Sequence, residues 1–597
     1  MRFEAGPLDV TLPQYDAATQ AKLTDLFVKC CQVHQLLPLS FFEGEGPRAL
    51  FASILPRAQL PSHQSVARAI AKMDEEHLAK VKDIAATLRS PIGPLCVAEV
   101  DCWPAPTDEN YFGLILHGLD PDFKPVSLLL YADILGVPET AHNQAQRMIY
   151  VARELLGVDI ADLCWSVQSD NTGKAANIAG CLKLESLRCV AHILALGPRH
   201  LLHPVERTVQ GVKRKQAHER AVKSVFDVCE KIRAFVRHMK NHEQEGRRLV
   251  DIMKRLEDRV LQLDLDQTSK WDGTLEMLQR ITEAERALRT YFLDHGAGLS
   301  QHIVLVDVDF ALCREVAGVL RPISNVIALL EGDDFKGGAV LPLLWLLEQD
   351  LADDAPVTVA SARQGEPFAE MPGHHLSSEA REFRRVLLGE VHITLRHLQG
   401  SRPTLLLASA LDPRWRALPF ASESERAETR RRLQTQAVEI VGQQAPAARP
   451  SPASAPLKRL RPLPGMERLL ERAQRLQGLS PTPQGEAQRP PAEDVSRALD
   501  DWFALPALPT DSSPLDFWQE AVRQDAPAPW VRLLAPLARK YLASPGASGS
   551  IERVWSQGRR VITFNRHALS GERVCQLLRL KHNLAKVGMW PPSPLAL

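Results

Sequence analysis

Four short apolar segments, 95–102 (LCVAEVDC), 111–119 (YFGLILHGL), 126–134 (VSLLLYADI) and 163–169 (LCWSVQS), constrain this chain more than any other feature. Each is rich in Val, Leu and aromatic residues, and Pro, Asp, Glu and Asn punctuate the gaps. That is the signature of strands buried on both faces. Between the third and fourth, 143–156 has apolar residues at helical spacing. The expected order is therefore three strands, a helix and another strand. A helix over about 173–183 and a fifth strand near Leu187–Leu196 complete the expected α/β core.

The remainder reads as helical. Residues 18–89 form short helices broken by prolines at 38, 56 and 61. From 205 to about 295 the pattern is strongly helical and charged. Its densest basic run is Lys213, Arg214 and Lys215, followed by Lys223, Arg247, Arg248 and Arg255. A run of this kind marks either a solvated helix face or a nucleic-acid contact. Helical spacing continues through 310–350 and 378–399. Residues 445–493 contain ten prolines among Ala, Gln, Arg and Ser, the composition of a linker. The chain divides into a helical N-terminal region (1–90), the first part of the core (91–204), a helical insertion (205–442), a proline-rich linker (443–494) and a C-terminal helical region (495–597).

Composition excludes several classes. The chain has 72 Lys plus Arg against 72 Asp plus Glu, so wholesale electrostatic coating of nucleic acid is excluded, although a local basic surface is not. The ten cysteines show no C-x-x-C spacing, and reduced thiols are expected. Met1-Arg2-Phe3-Glu4 does not open a secretory leader. The longest apolar stretches, such as Ala339 to Leu347, are too short to cross a bilayer. A soluble intracellular protein is expected. Lys458, Arg459 and Arg461 form a short basic cluster of the nuclear-import type.

Asp101 closes the first predicted strand and Asp170 follows the fourth. Carboxylates at the ends of neighbouring strands can converge on Mg²⁺ or Mn²⁺, although Asp at a strand end is more often a turn or cap residue. Val574, Leu577, Leu578 and Leu584 make one apolar helical face, and Ile551, Val554 and Trp555 make another. Such stripes ordinarily belong to a core.

The succession VDCW, SDNTGKAANIAG and CVAHILAL resembles the catalytic core of hAT-family DNA transposases. Three further segments share the likeness: TSKWDGTLEMLQR (268–280), LASALDPRWRALPF (407–420) and the stretch 548–584, which is similar to the family's C-terminal dimerisation region. The resemblance covers about 20–590. It implies an RNase H-like core interrupted by a large all-helical insertion, with an Asp-Asp-Glu triad on Asp101, Asp170 and Glu552 holding Mg²⁺ or Mn²⁺ in active members. It also implies a DNA-contacting Trp271 and a structural Cys-x-x-His pair, Cys189 and His192. Val554, Trp555, Val574, Leu577 and Leu578 would lie in a homodimer contact. Lys270 stands where the family usually has Arg, Ile551 where it has Ser, and Trp555 where it has Phe. No Cys/His quartet of a BED zinc finger precedes residue 90. The expected function is that of a domesticated nuclear derivative, DNA-associated or protein-binding and acting in transcription as a homodimer. The alternatives are a DNA transposase and a scaffold without DNA affinity.

Overall fold

A computed structural model of the chain describes residues 15–90, 92–170, 173–203, 205–209, 212–216, 222–266, 272–332, 337–360, 368–444, 491–562 and 569–590. The fold is mixed α/β and mostly helical, built around one five-stranded sheet. Its strands are β1 (Cys96–Pro104), β2 (Asn110–Leu119), β3 (Pro125–Ile134), β4 (Cys164–Ser169) and β5 (Glu185–Arg188). Their order is β3-β2-β1-β4-β5, antiparallel across the first three and parallel from β1 to β5. The first four coincide with the four apolar segments.

Tight turns join the antiparallel strands. In the β2–β3 turn, Asp120 Oδ1 accepts from the backbone N–H groups of Asp122 at 2.9 Å and Lys124 at 2.8 Å. The parallel crossover is the helix Ala141–Leu156, capped by the Thr140 hydroxyl and ended by Gly157 at φ 69°. Along β1 the residues alternate. Cys96, Ala98 and Val100 face the crossover helix, whereas Glu99, Asp101 and Trp103 face the helix Gly549–Val561.

Three expectations need correction. The segment CVAHILAL is not a strand: β5 ends at Arg188, and Val190–Leu202 is a helix. Its buried residues fall at 190/191, 193/194, 197/198 and 201/202, which is helical spacing seen once the run is followed past Gly197. The basic run is not helical either. Val205–Val209 and Val212–Gln216 form an antiparallel hairpin, and the next helix begins at Lys223. The insertion is thus not all-helical, and it carries a second hairpin, Val357–Ala360 with Phe368–Met371.

The C-terminal region also divides. Trp502 and Trp518 donate their indole N–H groups to the carbonyls of Ala410 at 3.0 Å and Leu411 at 2.9 Å, so residues up to about 547 pack with the insertion. The helices Gly549–Val561 and Gly571–Asn583 return to the sheet and share a core with the N-terminal helices. Most of the proline-rich linker, 445–490, lies outside the described residues. Among the described residues no helix is long and apolar enough to cross a membrane.

The last of these helices seals the sheet edge. Asn583, fully buried, accepts from Leu129 N–H at 2.8 Å and donates to Leu129 C=O at 2.9 Å. One helical turn back, Arg579 donates to Leu130 C=O at 3.2 Å, and one further turn back Cys575 Sγ accepts from Ala132 N–H at 3.5 Å. Side chains four residues apart on one helix face thereby occupy the edge hydrogen-bonding positions of β3.

Candidate active site

The β1–β4 ladder ends at Glu99 opposite Gln168. Asp101 and Asp170 each lie two residues further on, so the parallel pairing brings them to the same end of adjacent strands. Glu552 approaches from the first turn of the helix Gly549–Val561. Burial pushes the Asp101 carboxyl up to about 7, reinforced by the negative charges of Asp170 and then Glu552. Asp101 therefore lies near enough to both other acids for their charges to act on it.

Residues on three elements fix the start of the Glu552 helix. Glu99 Oε1 accepts from Ile551 N–H at 3.1 Å, and its other oxygen lies 2.6 Å from His117 Nε2. Both side chains are buried in the sheet. Cys189 Sγ accepts from Ser548 N–H at 3.2 Å. The C-x-x-H pair thus has a defined place: Cys189 precedes the helix Val190–Leu202, and His192 reaches from its first turn to within 3.7 Å of Glu552 Oε1. His192 Nδ1 lies 3.2 Å from Cys189 Sγ. That contact raises the imidazole above its ordinary range, opposed by burial and assisted by Glu552 and Asp170.

Trp555, one turn after Glu552, lies over Asp101. Its indole N–H donates to Asp101 Oδ2 at 3.0 Å, and its ring stacks on Trp103 with centroids 5.6 Å apart. Gly113, the antiparallel partner of Asp101, makes room for it. A Cβ at Gly113 would come within 2.6 Å of the Trp555 ring and 2.4 Å of Ile551.

Asp101, Asp170 and Glu552 are the residues that would hold Mg²⁺ or Mn²⁺. Among the described residues, however, no group of three or more His, Cys, Asp or Glu stands in metal-holding geometry. The donor set offers oxygens of the right type, but one Asp101 oxygen already carries a hydrogen bond.

Other predicted residues lie elsewhere. Lys213, Arg214 and Lys215 are on the second strand of the hairpin, opposite Thr208, Arg207 and Glu206. Trp271 falls outside the described residues. The proposed dimer face requires correction: Val554, Trp555, Val574, Leu577 and Leu578 are all buried within the single chain, against the sheet and the N-terminal helices. Their helical stripes fill a core, so they form no free surface. Glu99, His117, Trp103 and Gly113 escaped the sequence reading. Glu99 was accessible to it, since it shares the period-two face of Asp101 in EVD. His117 and Gly113 become visible only once the β1–β2 register is known.

Residues 187–304 match the family model of the ZBED1 RNase-like helical domain, and residues 498–584 match that of the hAT family C-terminal dimerisation region. The chain is an hAT transposase-derived protein. No curated protein matches it. In this hAT-derived chain the first matched region contains Cys189, His192 and the basic hairpin, and the second contains Glu552. The dimerisation region points to self-association of the hAT-derived chain.

Proposed function

We propose that this chain is a domesticated hAT derivative that acts in the nucleus as a self-associating, DNA-associated factor in transcription, around an RNase H-like core. The strand order β3-β2-β1-β4-β5, with three antiparallel strands followed by two parallel ones, supports that core. The observation that carries DNA association is the hairpin. Arg207 is registered opposite Arg214, with Lys213 and Lys215 on either side of Arg214 in the same strand. Like charges directly opposite one another destabilise an isolated antiparallel pair, and a polyanion relieves that repulsion. A two-stranded ribbon also has dimensions that the DNA major groove admits.

The test is duplex binding by fluorescence anisotropy across a salt series, with the wild type beside Lys213→Ala/Arg214→Ala/Lys215→Ala. The expected result is a salt-dependence slope shallower by about 2 to 3 in the triple variant, because each phosphate contact contributes about 0.9. An unchanged slope removes the hairpin from the reading.

The convergence of Asp101, Asp170 and Glu552 supports a second reading, metal-dependent DNA strand cleavage and transfer. A divalent cation held there would supply charge neutralisation and an activated nucleophile for phosphoryl transfer. The residues themselves position that site: Glu99 and Cys189 anchor the helix bearing Glu552, and His192 stands against its carboxylate. Nicking with Mn²⁺ that is lost in Asp170→Ala would favour this reading.

A further inference from the structure

We propose that Trp555 is a built-in lock on the acidic site, holding Asp101 in a hydrogen bond that competes with a divalent cation for the same carboxylate. The proposal rests on the second reading only in taking Asp101, Asp170 and Glu552 as the oxygen donors.

Three contacts fix the indole. Its ring stacks on Trp103 at an interplanar angle of 22°, its six-membered ring fills the space over Gly113, and its N–H donates to Asp101 Oδ2 at 3.0 Å. Trp555 is 4% exposed and Trp103 is 7% exposed, so the indole is enclosed by its neighbours and packed as a core side chain. The register makes the lock self-consistent. Gly113 pairs with Asp101 across β1 and β2, and the side chain absent at Gly113 leaves the slot through which the indole reaches the carboxylate. The start of the helix is tied down as well, since the Ile551 N–H is bonded to Glu99 and the Ser548 N–H to Cys189. For Asp101 to turn both oxygens toward a cation, it must give up a charge-assisted hydrogen bond and leave a buried indole N–H unpaired. Phenylalanine at 555 would keep the stack on Trp103 and remove the donor.

The experiment is Mn²⁺ titration of the full chain followed by electron paramagnetic resonance. It compares wild type, Trp555→Phe, Trp555→Met and Asp101→Asn, the last alone and combined with Trp555→Phe. The expected result is at least tenfold tighter Mn²⁺ binding in Trp555→Phe, lost again on adding Asp101→Asn. Trp555→Met fills the slot flexibly without a donor and is expected to show the same gain, which covers the case of a poorly folded Trp555→Phe. In the wild-type background Asp101→Asn is expected to change Mn²⁺ affinity by less than twofold. A folded Trp555→Phe or Trp555→Met with wild-type affinity overturns the lock. So does a wild type whose Mn²⁺ binding falls tenfold or more in Asp101→Asn, because Asp101 would then bind the cation with the indole in place. The duplex-binding salt slope is read separately and is expected to be the same in Trp555→Phe and wild type. The lock and the DNA-associated reading therefore stand or fall independently.

Discussion

Two aspartates, Asp74 buried against the sheet and Asp101 half-buried within it, are driven in opposite directions by their surroundings. Asp74, on the N-terminal helix His63–Thr87, would be raised by burial, but the His77 imidazole 3.6 Å away and hydrogen bonds from Arg579 bring its carboxyl below the ordinary range. Arg579 grips it as a fork, Nε donating to Oδ1 at 3.0 Å and Nη2 to Oδ2, and joins helices near the two ends of the described chain. Asp101 has an indole N–H and two neighbouring acids in place of a guanidinium, and it is raised to about 7. One acid is finished by the fold. The other is left wanting positive charge, which is what distinguishes a structural carboxylate from a candidate site.

The largest expected effect breaks the finished side. Arg579→Met leaves Asp74 buried without its cation and is expected to cost about 3–5 kcal/mol, measured as the shift of the urea unfolding transition at pH 7. A loss below about 1 kcal/mol would make the pair no better than a surface ion pair and erase the contrast. A smaller effect is expected beside the acidic site. Gly113→Ala forces a methyl group against Ile551 and Trp555 and is expected to cost about 1–3 kcal/mol in the same measurement.

The smallest effect sharpens the comparison through its sign. Asp74 has a lowered carboxyl, so its contribution is present at neutral pH and is lost as pH falls through its folded value. Asp101 is raised above its unfolded value, so its protonated form favours folding at low pH and that benefit is lost as pH rises through about 7. Asp101→Asn is therefore expected to be more stable than wild type by about 1–2 kcal/mol at pH 8 and nearly equal to it at pH 4. Thermal melts at the two pH values decide it, and a variant less stable at pH 8 would reverse the assignment.

Much of the core was legible because burial on both faces leaves a continuous apolar run. The segments at 95–102, 111–119, 126–134 and 163–169 became β1 to β4. The run after Arg188 misled for the same reason. A short apolar stretch does not separate a buried strand from a buried helix, and Val190–Leu202 shows its period only over its full length. The basic run at 213–215 misled through its charged helical neighbours, whereas its own residues are held as a strand by pairing with 205–209. Asp101 and Asp170 could be named from strand ends. Glu552 required the family resemblance, since nothing within its own helix sets it apart.

The sequence by itself determined the four main strands, the helical character of most of the chain and the strand-end acids Asp101 and Asp170, because periodicity and residue chemistry are local. Tertiary structure alone decided how those acids are held. The Trp555 bond to Asp101, the Glu99 and Cys189 anchors on the Glu552 helix and the Asn583 seal on β3 each join residues hundreds of positions apart. The same long-range packing turned the stripes at Val554 and Leu578 from an expected partner surface into core. An apolar helix face specifies that something must cover it, and the rest of the chain determines what that is.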